Sequence, residues 1–261
     1  MTKVEHHLIR EIRENSSFET RLYNLFKAAI SDQVSITNFR KMFLKLEKMD
    51  IYIMKKDAKD IGLAYFMYCN DPENKKNIYV RPGIGVIKEA RDNGAYFPKS
   101  IIMNTMIKTK FRNLSKKVFM VSVTMNPIVY VAACKYWRYV YPKPTRRSGK
   151  SLIDTKNKII DLFHMNEVKK DVIEISFSLP EIEETKREFS DVKNDNIYAN
   201  FFSSKIKNEE CNRGMLTVIP INAINLIAVV RRKTKDDIKK SFNRIVEEKL
   251  VPLFKRYSPA G

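Results

Sequence analysis

The sequence predicts an α/β (α+β) protein with a mixed, mostly antiparallel sheet flanked by helices. Three observations predict this class. Segments in which apolar residues recur every three to four positions alternate with segments in which every second residue is apolar. The strands that come first are joined by short polar turns, and one longer connection through a helix follows them. A basic segment then precedes a further α/β region.

The first predicted elements are two helices and a strand hairpin. Ser16 and Glu19 have the spacing of a capping box, which predicts a helix with Ser16 as its cap. A second helix begins near residue 37. Alternating apolar residues then predict strands at 50–56 and 61–69, joined by a polar turn, and so an antiparallel hairpin.

A bent strand, a helix, a central strand and another helix follow. Residues 78–89 have the pattern of a strand, and Pro82-Gly83 inside it predicts a bulge or a bend. The next elements are a helix at 99–112, an apolar and therefore central strand at 117–124, and a helix that begins at Asn126-Pro127, with Pro127 in its first turn, and ends near Tyr139.

Two regions are predicted, residues 1–142 and residues 152–261, with a basic linker at 143–151. The second region forms a C-terminal α/β extension or a second subdomain. Its predicted elements are a helix at 152–163, a strand at 172–177, a polar segment at 181–212, two strands at 215–219 and 223–230, and an amphipathic helix at 235–254.

Positive charge is concentrated in the first region. Residues 1–150 hold 29 Lys and Arg against 13 Asp and Glu, whereas residues 151–261 hold 20 against 17. Between Asn93 and Ile153 there is no acidic residue, although twelve Lys or Arg lie there. A field of one sign attracts polyanions, which include nucleotide cofactors, acidic carrier proteins, nucleic acids and anionic membranes. Genome composition is the alternative origin of a Lys-rich chain.

The sequence predicts a cytoplasmic protein without a metal. The segment 1–14 is charged throughout and lacks the apolar core of a signal peptide, and no stretch is apolar enough to cross a bilayer. The three cysteines are far apart and odd in number, which argues against a disulfide framework or a zinc site. The histidines are terminal or isolated, so no metal set and no His-centred triad is expected.

At residues 15–142 the order of elements resembles the GNAT superfamily of acyl-CoA N-acyltransferases. The resemblance rests on two helices, a hairpin, a bent strand, a glycine-containing loop and helix, a further strand, and a helix that begins at Asn126. Arg91 and Gly94 match the family's loop, which reads Arg/Gln-x-x-Gly-x-Gly/Ala. Tyr96 stands where the last small residue belongs, which predicts that its side chain crowds the approach of the phosphates.

The resemblance implies a thioester donor, acyl-CoA or acyl carrier protein, whose pyrophosphate is held by turn amides and a helix N-terminus. Polarisation of the carbonyl falls to a backbone amide near Val86–Lys88. The residues implied in donor binding are Val86, Ile87, Lys88, Arg91, Asn93, Gly94, Ala95, Lys99 and Asn126. For Asn93-Gly94 alone, an ordinary tight turn is the alternative.

Three side chains are candidates for proton transfer. Glu89 is the only carboxylate on the bent strand and is the candidate base, while Tyr130 or Tyr136 on the following helix is the candidate acid. The alternatives are a solvated Glu89 beside Lys88 or Arg91, and tyrosines that only pack. Cys134, on an apolar helix run, is expected in the core rather than as a nucleophile.

The function that these observations favour is transfer of an acyl group from a thioester donor to an amine. The basic stretch Lys99–Lys150 would then meet the donor's phosphates or the acidic helices of a carrier protein. The alternative is a non-catalytic basic module, in which the same stretch, with its interleaved aromatic residues, binds nucleic acid or another polyanion, or attaches to an anionic membrane.

Overall fold

The computed structural model describes residues 2–43, 47–146, 149–175, 196–207 and 212–245, with only the backbone of Lys99 and of 238–245. Within these ranges the chain forms eight strands: β1 (Thr2–Leu8), β2 (Lys48–Lys56), β3 (Lys59–Asn70), β4 (Asn77–Val86), β5 (Lys117–Thr124), β6 (Asn166–Lys169), β7 (Val172–Glu174) and β8 (Arg213–Ile221). The described helices are α1 (Ile9–Glu14), α2 (Ser16–Ala29), α3 (Ile36–Phe43), α4 (Lys88–Asp92), α5 (Lys99–Arg112), α6 (Pro127–Tyr136), α7 (Lys150–Leu162), α8 (Ile197–Lys205) and α9 (Ala223–Ile245).

The eight strands form one sheet in the order β1-β2-β3-β4-β5-β8-β7-β6. Among these strands β4 and β5 form the single parallel pair, and every other pair is antiparallel. Helix α5 makes the connection that a parallel pair requires. The predicted fold class, a mixed and mostly antiparallel sheet flanked by helices with one crossover, is confirmed.

Helices cover both faces of the sheet. The first face packs against α1, α2 and α3 around Phe26 and Phe39, and farther along against α7 around Ile159. The opposite face packs against α5, α6, α8 and α9 around Met106 and Tyr130. This arrangement leaves the ends of the strands, rather than the faces of the sheet, as the accessible places.

The predicted hairpin of residues 50–69 is present as β2 and β3. Asp57 and Ala58 connect the two strands with φ angles of 50° and 65°, the left-handed values of a two-residue hairpin turn. The following strand keeps an unbroken register with β3 from Ile78 to Val86. The bulge considered at Pro82-Gly83 is therefore not present in this ladder.

Two elements at the N-terminus were not predicted. β1 pairs with β2 and forms one edge of the sheet, and α1 follows it directly. The charged residues of β1 obscure the alternating pattern of a strand in the sequence. They are typical of an edge strand, since charge there opposes pairing with other chains. The cap of α2 is Asn15 rather than Ser16, because the Asn15 side chain accepts hydrogen bonds from the amides of Ser17 and Phe18 at 3.0 and 3.1 Å.

The strand predicted at 223–230 is wrong, because these residues begin α9. The Asn222 side chain accepts from the Asn225 amide at 2.9 Å, which turns the chain into a helix directly after β8. Asn225 and Val229 are buried one helical turn apart, and Ile227 between them is exposed. A short aliphatic run has the same composition in a strand and in a buried helix face, so composition does not separate the two.

The residues after the predicted linker continue the same sheet. β8 pairs with β5 along seven residue pairs, from Val118 with Ile221 to Thr124 with Met215. β7 and β6 then extend the sheet beyond β8. The end of the predicted strand at 176–177, the predicted polar segment up to residue 195, and the predicted helix beyond residue 245 lie outside the described residues.

Candidate active site at the gap between two parallel strands

The candidate site lies where β4 and β5 separate. The two strands pair only from Asn77 with Lys117 to Val80 with Met120, although β4 continues to Val86 and β5 to Thr124. Beyond Val80, no strand among the described residues pairs with this edge of β4. The carboxyl halves of the two strands therefore border an opening within the sheet, which we call the β4–β5 gap.

The position of Pro82 explains why the pairing stops. The amide of Ile87 donates to Ile61 O at 3.0 Å, so the odd-numbered residues of β4 face β3 and the even-numbered residues face β5. The next bond of the parallel ladder would run from residue 82 to the carbonyl of Val121. Proline has no N–H to donate, so the ladder ends one step before it.

The same alternation identifies the free backbone groups on this edge. The amides of Ile84 and Val86 point toward the gap, and the carbonyls of Pro82 and Ile84 point the same way. Of the predicted donor-binding backbone at Val86–Lys88, Val86 thus faces the gap. The amide of Ile87 is taken by Ile61 O, and Lys88 is the first residue of α4.

Two glycines bring other parts of the chain against the first face of β4. A Cβ on Gly85 would lie 2.2 Å from Ala29 O at the end of α2, and one on Gly83 would lie 2.0 Å from Cζ of Tyr65. Both distances are far inside van der Waals contact. At Gly85 the opposing atom belongs to the backbone, so no side chain fits there, whereas at Gly83 the Tyr65 ring would have to move. The end of α2 and the Tyr65 ring thus support the strand that borders the gap.

The loop after β4 differs from the prediction. The strand ends at Val86. The predicted strand continued to residue 89, but its last residues begin the short helix α4. Glu89 therefore lies on a helix rather than on the strand, and its side chain is exposed. The Asn93 side chain donates to Glu89 O at 2.8 Å, and Ala95 N–H donates to Ala90 O at 2.9 Å, so a compact turn follows α4.

Gly94 has a conformational role in this turn. Its φ is 75°, and a Cβ placed on it would find no other atom within 4 Å. Other residues enter this left-handed region only with strain, so the turn favours glycine. The open space above Gly94 leaves the backbone accessible to a ligand.

Tyr96, whose side chain is predicted to crowd the approach of the phosphates, lies at the surface of the loop. Its side chain is 71% exposed, whereas the neighbouring Phe97 is 9% exposed and belongs to the core. The Phe97 ring lies 3.2 Å from the position that a Cβ on Gly62 would take, so Phe97 packs the loop onto β3. The bulky residue that fills the interior is thus Phe97, and Tyr96 projects outward.

Helix α5 begins at Lys99, after this loop and at the end of the sheet where the gap opens. No side chain caps its N-terminus, and its first turn contains no acidic residue. A helix of this length directs free amides and partial positive charge outward at its start. Lys88 is exposed and Arg91 is half-buried on the neighbouring α4. Because the exposed Glu89 and Asp92 lie on α4 as well, the positive potential of this rim comes from the start of α5.

Helix α6 begins on the other side of the gap, directly after β5. Asn126, predicted to bind the donor, caps this helix: its side-chain oxygen accepts from Ile128 N–H at 2.8 Å. Pro127 occupies the first helical position, as expected. The gap is thus bordered by the first turns of two helices.

The two candidate tyrosines of α6 are engaged elsewhere. Tyr130 is fully buried, and its hydroxyl donates to Pro142 O at 2.8 Å. Burial raises the pKa of Tyr130 above its ordinary value. The Tyr136 hydroxyl donates to Asp236 of α9 at 2.7 Å, and this bond raises the pKa of Tyr136. Tyr136 also lies about 14 Å along α6 from Pro127, at a rise of about 1.5 Å per residue.

Cys134 lies in the core, as expected. It is fully buried, and burial raises the pKa of its thiol to about 11.

A hydroxyl cluster at the end of β5 is not predicted from the sequence. Ser122 Oγ lies 3.3 Å from Thr124 Oγ1, which lies 3.4 Å from Thr217 Oγ1 on β8. The pairing of β5 with β8 creates this cluster, and no local pattern indicates it.

Within the described residues, no group of three or more His, Cys, Asp or Glu side chains is placed to hold a metal ion. Among the described helices none is long and apolar enough to span a bilayer.

Solved structures of GNAT proteins match the chain at low sequence identity. The loading GNATL domain of CurA from Lyngbya majuscula is 14% identical over 85% of this chain and 98% of its own, with a TM-score of 0.35. A predicted acetyltransferase from Clostridium acetobutylicum, solved with acetyl-CoA, is 15% identical over 59% of this chain and 98% of its own, with a TM-score of 0.34.

The N-acetyltransferase PseH of Campylobacter jejuni, in complex with acetyl coenzyme A, is 14% identical over 66% of this chain and 95% of its own, with a TM-score of 0.28. At these identities and TM-scores, the similarities carry no argument about the activity of this chain. No protein-family profile and no curated protein matches the sequence.

Proposed function

We propose that the protein transfers an acyl group from a thioester donor, acyl-CoA or acyl carrier protein, to an amine. One observation carries the proposal. The parallel ladder between β4 and β5 ends at Pro82, so the amides of Ile84 and Val86 face an opening whose rim is the Gly94 turn and the start of α5. An extended donor needs such an edge for its amides and such a rim for its phosphates.

The donor's pantetheine arm would lie along the free edge of β4 as an additional strand does. Its amides would exchange hydrogen bonds with the Val86 amide and with the Ile84 carbonyl. The pyrophosphate would lie over the open backbone at Gly94 and reach the amides at the start of α5, because the amides of Gly94 and Ala95 already donate to Arg91 O and Ala90 O. Lys88, Arg91 and Lys99 supply the countercharge in this proposal, and Asn93 holds the turn closed.

Acyl transfer then requires that the thioester carbonyl be polarised and that the amine lose a proton. The amide of Ile84 serves the first need in this proposal, because Ile84 lies farther from the phosphate rim than Val86 does. A preorganised N–H stabilises the oxyanion that develops at the carbonyl. Glu89 stays the proposed base, because its carboxylate is exposed near the rim. Tyr130 and Tyr136 stay candidate acids for the leaving thiolate, and each would first have to release its present hydrogen bond.

Acetyl-CoA is the first donor to test, because two of the similar structures contain it. The measurement is calorimetric titration of the full chain with acetyl-CoA. We expect binding by the wild type and a loss of at least about tenfold in affinity for Gly94→Val, since a branched side chain in a left-handed turn distorts the backbone and blocks the approach of the phosphates.

Gly149→Val is the matched control, because Gly149 also has open space around its Cβ position but lacks the positive φ. Gly94→Asn distinguishes backbone strain from obstruction of the phosphates by a side chain, since asparagine tolerates the left-handed region and still adds a side chain. Affinity for acetyl-CoA that is equal in all three variants and the wild type would refute the proposed donor site. Absence of binding by the wild type to acetyl-CoA and to acyl carrier protein would refute the function.

The alternative of a nucleic-acid module loses part of its basis. It depends on aromatic side chains that are free to stack on bases, yet Trp137 and Tyr141 are 6% and 5% exposed. The Tyr141 hydroxyl is bound to Asp171 at 2.7 Å, and that of Tyr136 to Asp236. Of the aromatic residues interleaved with the cations, Phe111 is well exposed.

A further inference from the structure

The end of the sheet opposite the gap rim carries exposed apolar side chains. Phe111, in the last turn of α5, is 66% exposed, and Leu114, in the turn before β5, is 70% exposed. The Lys110 ammonium donates to Leu114 O at 3.0 Å and to Lys116 O at 2.6 Å, so this turn is held in a defined shape. Large apolar side chains that are fixed in an exposed position mark a surface that binds something.

Helix α9 presents a second apolar group at the same end. Ile224, Ile227 and Val230 are all exposed, and their spacing of three places them on one side of the helix. Val118 at the start of β5 pairs with Ile221 at the end of β8. Leu114 precedes the first of these strands and Ile224 follows the second, so both emerge at the same end of the sheet. We call these five residues the basal apolar group.

Exposed cations lie on the same segments as the basal apolar group and on the β3–β4 turn, where Lys76 O accepts from the Lys117 amide at 2.7 Å. They are Lys75, Lys76, Lys108, Arg112, Lys117, Arg231, Lys233 and Lys235. Most of the nearby carboxylates are buried or paired with a cation. Asp71 is buried, Glu73 pairs with Lys158 at 2.7 Å, and Asp236 pairs with Lys135 at 3.0 Å. Asp237 is exposed. The surface therefore combines protruding apolar side chains with an excess of positive charge.

We propose that this basal surface attaches the protein to anionic lipid membranes. Aliphatic side chains enter the boundary between headgroups and acyl chains, while lysines and arginines bind the anionic headgroups. Nucleic acid explains the cations but not the aliphatic residues, which cannot stack on bases. Flat lipid also suits side chains that come from two separate elements, because no groove has to match them.

The geometry argues against an acidic carrier protein as the partner of this surface. Helix α5 begins at the rim of the gap and ends at the basal surface, so about 20 Å of helix, at about 1.5 Å per residue, separates the two. A carrier docked at the basal surface would hold its acyl arm at the end of the sheet that is opposite the β4–β5 gap. This step rests on the proposed function, whereas membrane attachment itself does not.

The test is cosedimentation of the full chain with vesicles of phosphatidylcholine that contain about one third phosphatidylglycerol, with pure phosphatidylcholine as reference. We expect binding only to the anionic vesicles. The variant Phe111→Ser with Leu114→Ser, and the variant Lys108→Glu with Arg112→Glu, should each bind about tenfold more weakly or worse. Circular dichroism confirms that each variant is folded.

Two controls make the same chemical changes elsewhere on the molecule. Val168→Ser with Ile197→Ser removes two other exposed aliphatic residues, and Lys56→Glu with Lys59→Glu reverses two cations at the β2–β3 turn. Both should bind vesicles within about twofold of the wild type. The proposal fails if the wild type ignores anionic vesicles, or if the controls lose as much binding as the basal variants. It also fails if the serine variant keeps full binding to vesicles, because the apolar residues would then play no part and the cations alone would suit nucleic acid equally well.

Discussion

Asp71 holds the turn between β3 and β4 through four hydrogen bonds. Its carboxylate accepts from the amides of Glu73 and Asn74, from the Asn77 side chain and from the Tyr79 hydroxyl, each at 3.0 Å. Burial alone would raise the pKa of Asp71, but these bonds hold the pKa below its ordinary value. Tyr79 lies in the part of β4 that still pairs with β5. Asp71, by binding Tyr79, therefore anchors the closed end of the gap.

We expect Asp71→Asn to lower the free energy of unfolding by about 2 kcal/mol, since an amide cannot accept from all four donors and brings a donor toward two of them. The exposed Asp32→Asn is the control and should change little. Because the folded pKa is depressed, the contribution of Asp71 is present above its ordinary pKa and is lost as the pH falls through the folded value. Urea titrations between pH 3 and about 7 test this: a variant as stable as the wild type would contradict the role of Asp71.

At the level of elements, Pro82 decides the course of β4. The sequence marks Pro82-Gly83 as a bulge or bend, because proline is rare inside a strand. The structure shows that the ladder with β3 is regular and that the interruption affects only the ladder with β5. The side on which proline interrupts pairing depends on strand register, which local sequence does not reveal.

Replacing Pro82 by alanine should narrow the β4–β5 gap. The new amide faces the Val121 carbonyl, so one more hydrogen bond of the parallel ladder can form. We expect affinity for acetyl-CoA to fall by about tenfold, while the free energy of unfolding changes by no more than about 1 kcal/mol, because the added bond offsets the greater freedom of the unfolded chain.

The control is Pro72→Ala in the exposed turn before β4, which makes the same change in chain freedom away from the gap. Both variants are compared by calorimetry with acetyl-CoA and by urea unfolding. If Pro82→Ala binds acetyl-CoA as the wild type does, the gap is not where the donor lies.

At the scale of the whole molecule, the two predicted regions share one sheet. β8 lies beside β5 near the middle of the sheet, and the Tyr141 backbone exchanges hydrogen bonds with Val218 at 2.9 and 2.8 Å.

The Lys143 side chain is half-buried and donates to the carbonyls of Cys134 and Trp137. Burial, with the nearby Arg232 and Arg146, lowers the pKa of Lys143.

We therefore expect a fragment of residues 1–142 not to fold by itself. Without β8, one edge of β5 loses its partner, and core residues such as Val121 become exposed. A fragment of residues 1–245, which keeps every described strand, is the control and should unfold in one cooperative transition. Cooperative unfolding of residues 1–142, seen by circular dichroism at a midpoint near that of the full chain, would establish this region as an independent domain.

The sequence by itself determined the class of the fold, the hairpin β2–β3, the crossover through α5, the first turn of α6 and the glycine turn at Gly94. These features depend on residues that are close in the chain: apolar period, turn chemistry and helix caps act locally. Arg91, Gly94 and Asn126, which the resemblance in element order singled out, lie beside the β4–β5 gap.

Only the tertiary structure decided where β1 and β8 pair, that residues 223–230 are helical, and which amides of β4 remain free. It also directed Tyr96 outward and Phe97 inward, and engaged Tyr130 and Tyr136 with distant partners. Each of these outcomes depends on a neighbour that is remote in sequence, and a short apolar or polar segment carries no information about that neighbour. The gap exists because register places a residue without an N–H at the one position where the ladder needs a donor.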